Sequence, residues 1–112
     1  MPKPSPPMPA AVRRALEKVG ADLSAARRRR RLSQSVVAGR ALTTRQTIAR
    51  IEAGDPSVAW GTLATVCFAL GLLDRLEDAA SPAHDELGLT LGRAQLPRRV
   101  RVTQPRGAPS GE

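Results

Sequence analysis

Between Ser33 and Gly54 the chain starts and stops a helix twice in quick succession, and that punctuation constrains the fold more than any other feature. Ser33 stands before a run in which Val37, Ala38 and Ala41 form a short apolar face, and a serine hydroxyl there can accept from a backbone N–H two or three residues on. Thr44 repeats the device ahead of Ile48 and Ile51, again at helical spacing, and Gly54 is placed to end that second helix as the residue just past its C-terminus. Only Leu42 and Thr43 fall at the turn. The pattern predicts two brief helices joined tightly.

The flanks supply more helices. Val12, Leu16, Val19 and Leu23 recur at helical spacing, which predicts a helix from Ala10 to about Arg30. Gly20 costs that helix about 1 kcal/mol relative to alanine and predicts a kink. Asp55-Pro56-Ser57 forces a turn. From Trp60 to Leu70 the run is apolar nearly all round, so it reads as the most buried helix of a bundle, with Trp60 and Cys67 in the core and Gly71 as its stop. A further short helix is expected over Leu73 to Ala79. Ser81-Pro82 looks like another start, Leu87, Leu91 and Ala94 continue at helical spacing, and Pro97 closes the segment. Arg99 to Val102 alternates charge and apolar side chain, the pattern of a short strand that would need a partner edge. The expected fold is all-α: a compact five-helix bundle over residues 10–80, then a short C-terminal helix and strand over 81–103. The proline-rich arm 1–9 and the tail 104–112 are disordered by composition.

At 112 residues the chain has room for one domain with tails. Trp60 and Phe68 are its aromatic residues and tyrosine is absent, so the core must be aliphatic and the stacking platforms of single-strand binders are missing. The net charge of +8, from 18 basic and 10 acidic residues, favours an anionic polymer or surface. It is unevenly placed: residues 1–31 carry nine basic and two acidic side chains, residues 32–80 four and five, and residues 81–112 five and three. With Cys67 as its single cysteine, one chain cannot build a disulfide or a thiolate metal site, which suits a reducing cytoplasm. No apolar run reaches the roughly 18 residues of a membrane span and the N-terminus lacks a signal-peptide core, so the chain reads as soluble and unexported. One histidine, one cysteine, no glycine-rich phosphate loop and no acid or histidine cluster at metal spacing argue against an enzyme. No catalytic residue, metal or cofactor is expected.

LSQSVVAGRALTTRQTIARIEAG, residues 32–54, resembles the helix-turn-helix of the Xre family, the lambdoid phage repressor and Cro type, without insertion. The resemblance implies that the helix from Thr44 to Ala53 enters the major groove of double-stranded DNA, with Thr44, Arg45, Gln46, Thr47 and Arg50 facing the duplex. Arginine can fork onto guanine O6 and N7, glutamine can pair with adenine N6 and N7, and the threonine methyl can meet that of thymine. Without DNA these would be ordinary polar residues on a solvated face. Gln34, at the start of the first helix, would position a phosphate rather than read a base. The five arginines 27–31 go round a whole helix at about 100° per residue, so they cannot all meet one ligand. Where the family has glycine at the first turn position this chain has Leu42: either leucine is held at positive φ, at a cost of about 1–2 kcal/mol, or the turn is reshaped.

Downstream, GTLATVCFALGLLDRLEDAA and the DELGLTL and LPRRVRV strings are similar to the antitoxin partners of Hip-type kinase toxins. That resemblance implies a repressor that also restrains a toxin. The expected function is a sequence-specific transcriptional regulator, an autorepressing antitoxin, acting as a homodimer on a pseudo-palindromic operator. Its alternative is an interaction module that mainly sequesters a kinase toxin. The Val100–Val102 strand or the helix around Leu73 to Leu76 is expected at the dimer interface.

Overall fold

The computed structural model describes residues 7–99, with side chains through residue 94. Its elements are α1 (Ala10–Arg29), α2 (Gln34–Arg40), α3 (Arg45–Glu52), α4 (Trp60–Ala69), α5 (Leu73–Glu77), a single 3-10 turn (Pro82–His84) and α6 (Glu86–Arg99). No strand occurs among the described residues, and no helix there is long and apolar enough to cross a membrane. The chain divides into two units, one ending at Leu76 and the other beginning at Glu77.

In the first unit α3 lies against α1 and α2, and α2 packs on α4. The core between them takes Leu23 and Ala26 from α1, Val37 and Ala38 from α2, Ile48 and Ile51 from α3, Val66 and Cys67 from α4, and Ala41 and Leu70 from just past α2 and α4. Val37 and Ile48 are the most enclosed of the larger side chains, and burial of each contributes about 1.5–3 kcal/mol. Burial pushes the Cys67 thiol up, so it sits there as a neutral apolar group. No aromatic ring takes part in this core.

Trp60 departs from expectation, for it is 70% exposed. An apolar run that goes all round a helix needs neighbours all round to bury it. Here Leu63, Val66, Cys67 and Leu70 fill the side turned to the core, and the Trp60 ring is left outside with Phe68. Of the residues of α4 itself, only Val66 and Cys67 are fully buried, so it is not the enclosed helix that its hydropathy implied.

Gly20 also has a different role from the one expected. α1 runs unbroken from Ala10 to Arg29, and a Cβ on Gly20 would lie 2.5 Å from the carbonyl oxygen of Ile51 and 2.7 Å from that of Glu52. The bare Cα lets the end of α3 rest on α1. Gly54 completes the contact, since a Cβ there would meet the backbone of Glu17 at 2.8 Å.

Four successive helices end in the same backbone device. After α2 the Thr43 N–H donates to the Ala38 carbonyl at 2.9 Å and the Leu42 N–H to that of Gly39 at 3.3 Å. The equivalent pairs are Leu32 to Arg27 and Arg31 to Arg28 after α1, Asp55 to Arg50 and Gly54 to Ile51 after α3, and Leu72 to Cys67 and Gly71 to Phe68 after α4. This Schellman closure needs a left-handed residue just past each helix. Glycine provides it at Gly54 (φ +82°) and Gly71 (φ +75°), whereas Arg31 (φ +56°) and Leu42 (φ +58°) adopt it against their own Cβ. The turn is therefore not reshaped to suit leucine.

In the second unit Ser81 caps only the 3-10 turn, accepting from the Ala83 N–H at 3.3 Å, and Asp85 caps α6 by accepting from the Gly88 N–H at 2.9 Å. His84 Nε2 lies 2.6 Å from the Asp78 carboxylate in an exposed pair. α6 passes through Pro97 and ends at Arg99, so the expected stop at proline does not occur. A proline this near a helix end costs one backbone hydrogen bond, and the short remainder beyond it keeps helical backbone. Of the expected strand, Arg99 closes α6 and the rest falls outside the described residues, as do residues 1–6 and the tail.

Candidate nucleic-acid interface

Thr44 sets the start of α3. Its backbone is extended and its hydroxyl accepts from the Thr47 N–H at 3.1 Å, with the two threonine hydroxyls 3.0 Å apart. The next residues inherit their directions from that cap. Ile48 and Ile51 turn inward and are buried, which leaves Thr44, Arg45, Gln46 and Arg50 exposed and Thr47 half-buried. Ser33 performs the same service for α2, accepting from the Val36 N–H at 3.1 Å, and so fixes Gln34 at that helix's first position.

Gln34 joins the two helices. Its amide nitrogen donates to Glu52 Oε1 at 3.0 Å, and its amide oxygen accepts from Arg45 Nη1 at 3.1 Å. Glu52 in turn accepts from Arg27, with Nε to Oε2 at 2.6 Å and Nη2 to Oε1 at 3.1 Å, and Arg27 Nη1 also donates to the Leu32 carbonyl at 2.9 Å. The Arg27 and Glu52 side chains are 13% and 11% exposed, so this bidentate pair works in a partly dry environment. Burial pushes the Glu52 carboxyl up, but hydrogen bonds from Arg27, Gln34 and Ser24 and the Arg27 charge outweigh it and hold the group below its ordinary range. The hydrogen bond to Glu52 likewise raises Arg27 against the opposing effect of burial. Arg45 thus stands at the end of a chain of contacts that begins in the protein interior.

Arg50 is held elsewhere. Its Nε donates to Asp55 Oδ2 at 2.9 Å and its Nη2 to the Ser57 hydroxyl at 2.8 Å, while Asp55 Oδ1 accepts from the Ser57 backbone at 2.8 Å and its hydroxyl at 2.6 Å. The Ser57 hydroxyl, then Arg50 and the Ser57 N–H, pull the Asp55 carboxyl down to about 2. Arg50 therefore ties the end of α3 to the following loop. The remaining arginines of the 27–31 run separate as helical geometry demands: Arg28 donates to Ser24 and Arg30 to the Ala26 carbonyl, both from the outside of α1.

Sequence reasoning anticipated Thr44, Arg45 and Gln46 as an exposed cluster. It placed Gln34 nearby without its contacts, and it did not single out Arg27. No local signal distinguishes one arginine among five, and the carboxylate that selects Arg27 arrives from a helix remote in sequence.

A family model described as a helix-turn-helix domain matches residues 18–80, more than half of the chain and all of α2, α3 and α4. Comparison with curated proteins and with solved structures gives no match.

Proposed function

The chain belongs to the Xre-like helix-turn-helix family, and from that membership we propose that it is a regulator of transcription that reads double-stranded DNA through α3. Arg45 and Gln46 meet base edges in the major groove, Thr44 and Thr47 lie where the helix passes the backbone, and Gln34 steers Arg45. Arg50 braces the loop after α3 through Asp55 and Ser57, which leaves it a phosphate contact and not a base reader. The observation that carries this reading is the exposed guanidinium of Arg45, held at the capped end of α3 by Gln34, which Glu52 anchors in turn. A reading group aligned before binding loses less conformational freedom on contact. Two copies on a pseudo-palindromic operator would double the few contacts a single short helix can make.

Binding selection on randomised duplexes at several salt concentrations tests this. Gln46→Ala should weaken the best site by about 1–3 kcal/mol and flatten preference at one position per half-site, with the salt slope nearly unchanged. Arg45→Ala should do the same at a neighbouring position. If both variants keep the wild-type preference, α3 is not the reading element.

The antitoxin-like strings favour a narrower version, a regulator that represses its own synthesis and binds a kinase toxin. Leu87, Leu89 and Leu91 of α6, at 70%, 44% and 51% exposed, offer apolar surface that suits such a protein partner. Co-purification with the product of an adjacent kinase-like gene, lost in Leu87→Ser/Leu91→Ser, would support it, and separate elution of the two proteins would remove it.

A further inference from the structure

Both aromatic rings of the chain are on its surface, Trp60 at 70% and Phe68 at 67% exposed. They stand along α4 with Ala64 between them, on the ridge that residues four apart make on a helix, about 12 Å from end to end. Gly61 and Thr65 complete this face. It carries no charge, and the Thr65 hydroxyl donates to the Gly61 carbonyl at 2.8 Å, so the one side-chain donor there that still needs a partner when the face is covered is the Trp60 indole N–H. Beside Trp60 opens an apolar groove of about 340 Å³ whose walls include Leu16, Val19, Val58 and Leu63. A space of about 150 Å³ already admits a benzene ring.

We propose that two copies of this chain pair through the Trp60–Phe68 face of α4, with the helices crossing at Ala64 and Phe68 of each copy entering the groove beside Trp60 of the other. A large-small-large ridge is its own complement under a two-fold axis, which is what an isologous contact requires. Charge selects the occupant. The chain has no lysine or arginine between Arg50 and Arg75, whereas each copy carries +8 overall, so two copies can meet on this face without bringing cations of that stretch together. The same lack of cations makes it a poor surface for an acidic partner. Two rings that each expose two-thirds of roughly 150–250 Å² offer on the order of 250 Å² per copy, to which the groove adds, against about 800 Å² per partner in a stable complex. The pairing is therefore of the transient class and depends on concentration. It rests on the exposed face itself, and it also supplies the two-fold that operator binding would use.

Trp60 is the sole tryptophan and there is no tyrosine, so intrinsic fluorescence reports on this face alone. The full chain is taken without DNA from low micromolar to submillimolar concentration, and emission is followed alongside sedimentation equilibrium. The emission maximum should move to shorter wavelength in step with conversion of monomer to dimer. Phe68→Gln, with unchanged circular dichroism, should raise the midpoint by about tenfold or more. Ala64→Gln, at the crossing point, should do likewise.

Four results would each overturn the inference: a monomer throughout the range, association beyond the dimer, a dimer that forms without moving the Trp60 emission, or one indifferent to both substitutions. Affinity for a duplex carrying a single half-site is measured separately. Half-site binding that survives while pairing fails removes only this inference, and the reverse removes only the DNA-reading one.

Discussion

Replacing Leu42 by glycine should stabilise the protein. Leu42 holds φ at +58° with its side chain 90% exposed, so the change takes nothing from the core. The two closing hydrogen bonds come from the backbone N–H groups of residues 42 and 43 and remain. A leucine in the left-handed region carries about 1–2 kcal/mol of strain, and glycine's greater freedom in the unfolded chain gives back about 0.4–1 kcal/mol. The difference is a gain of about 0.5–1 kcal/mol. For a domain of this size that corresponds to a rise in Tm of about 2–6 °C. The assay is thermal and urea unfolding by circular dichroism, with Leu42→Ala as the control, because alanine removes the exposed leucine but keeps the Cβ. If Leu42→Gly is no more stable than Leu42→Ala, the strain argument is wrong.

The other left-handed position responds in the same way, and Arg31→Gly should gain a similar amount in the same unfolding assay. Gly20→Ala should go in the opposite direction: alanine is the better helix former by about 1 kcal/mol, but its Cβ would meet backbone carbonyls that cannot rotate away, for a net loss of about 1–3 kcal/mol. An unchanged urea midpoint would show that α1 and α3 are not in that contact. Asp55 titrates at about 2 in the fold against about 3.9 unfolded, so its contribution is complete above pH about 4 and disappears as pH falls towards 2. Asp55→Asn should flatten the stability profile across that window, and a slope equal to the wild type's would assign the acid sensitivity to other carboxylates.

What could be read in the sequence was what depends on one turn of chain. The hydroxyls of Ser33 and Thr44 bond N–H groups three residues away, and Gly54 and Gly71 close the helix just behind them, so local spelling was enough to place α2, α3 and the end of α4. Arg31 closes α1 in the same manner, yet an arginine bears no mark of positive φ. Gly20 looked like a weak point in a helix because its partner, the carbonyl end of α3, is remote in sequence. Trp60 shows the limit of periodicity, which reports how apolar residues are distributed around a helix and not how many neighbours arrive to cover them. Gln34 was legible as a helix-starting residue, while its bonds to Glu52 and Arg45 required all three helices in place.

Under the proposed function, those bonds make one carboxylate answerable for both stability and reading. Glu52 Oε1 accepts from both Arg27 and Gln34, and the Gln34 oxygen is thereby turned to Arg45. In Glu52→Gln the Arg27 charge loses its counter-ion, and the orientation of the Gln34 amide loses its reason, since an amide NH2 can now face it. Because the pair is not wholly buried, the stability loss should lie at the lower end of the about 3–5 kcal/mol found when a buried ion pair is broken. A second effect should appear below the unfolding range: reduced preference at the base that Arg45 meets, although residue 52 is not among those facing DNA. Gln34→Ala separates the two effects, because it leaves the Arg27–Glu52 pair intact and should lose preference at that base with a stability change of about 1 kcal/mol or less. The measurements are urea unfolding and duplex selection on the same three proteins. If folded Glu52→Gln selects the wild-type sequence, Arg45 is aligned by DNA on arrival, and the path from Arg27 to the surface is structural only.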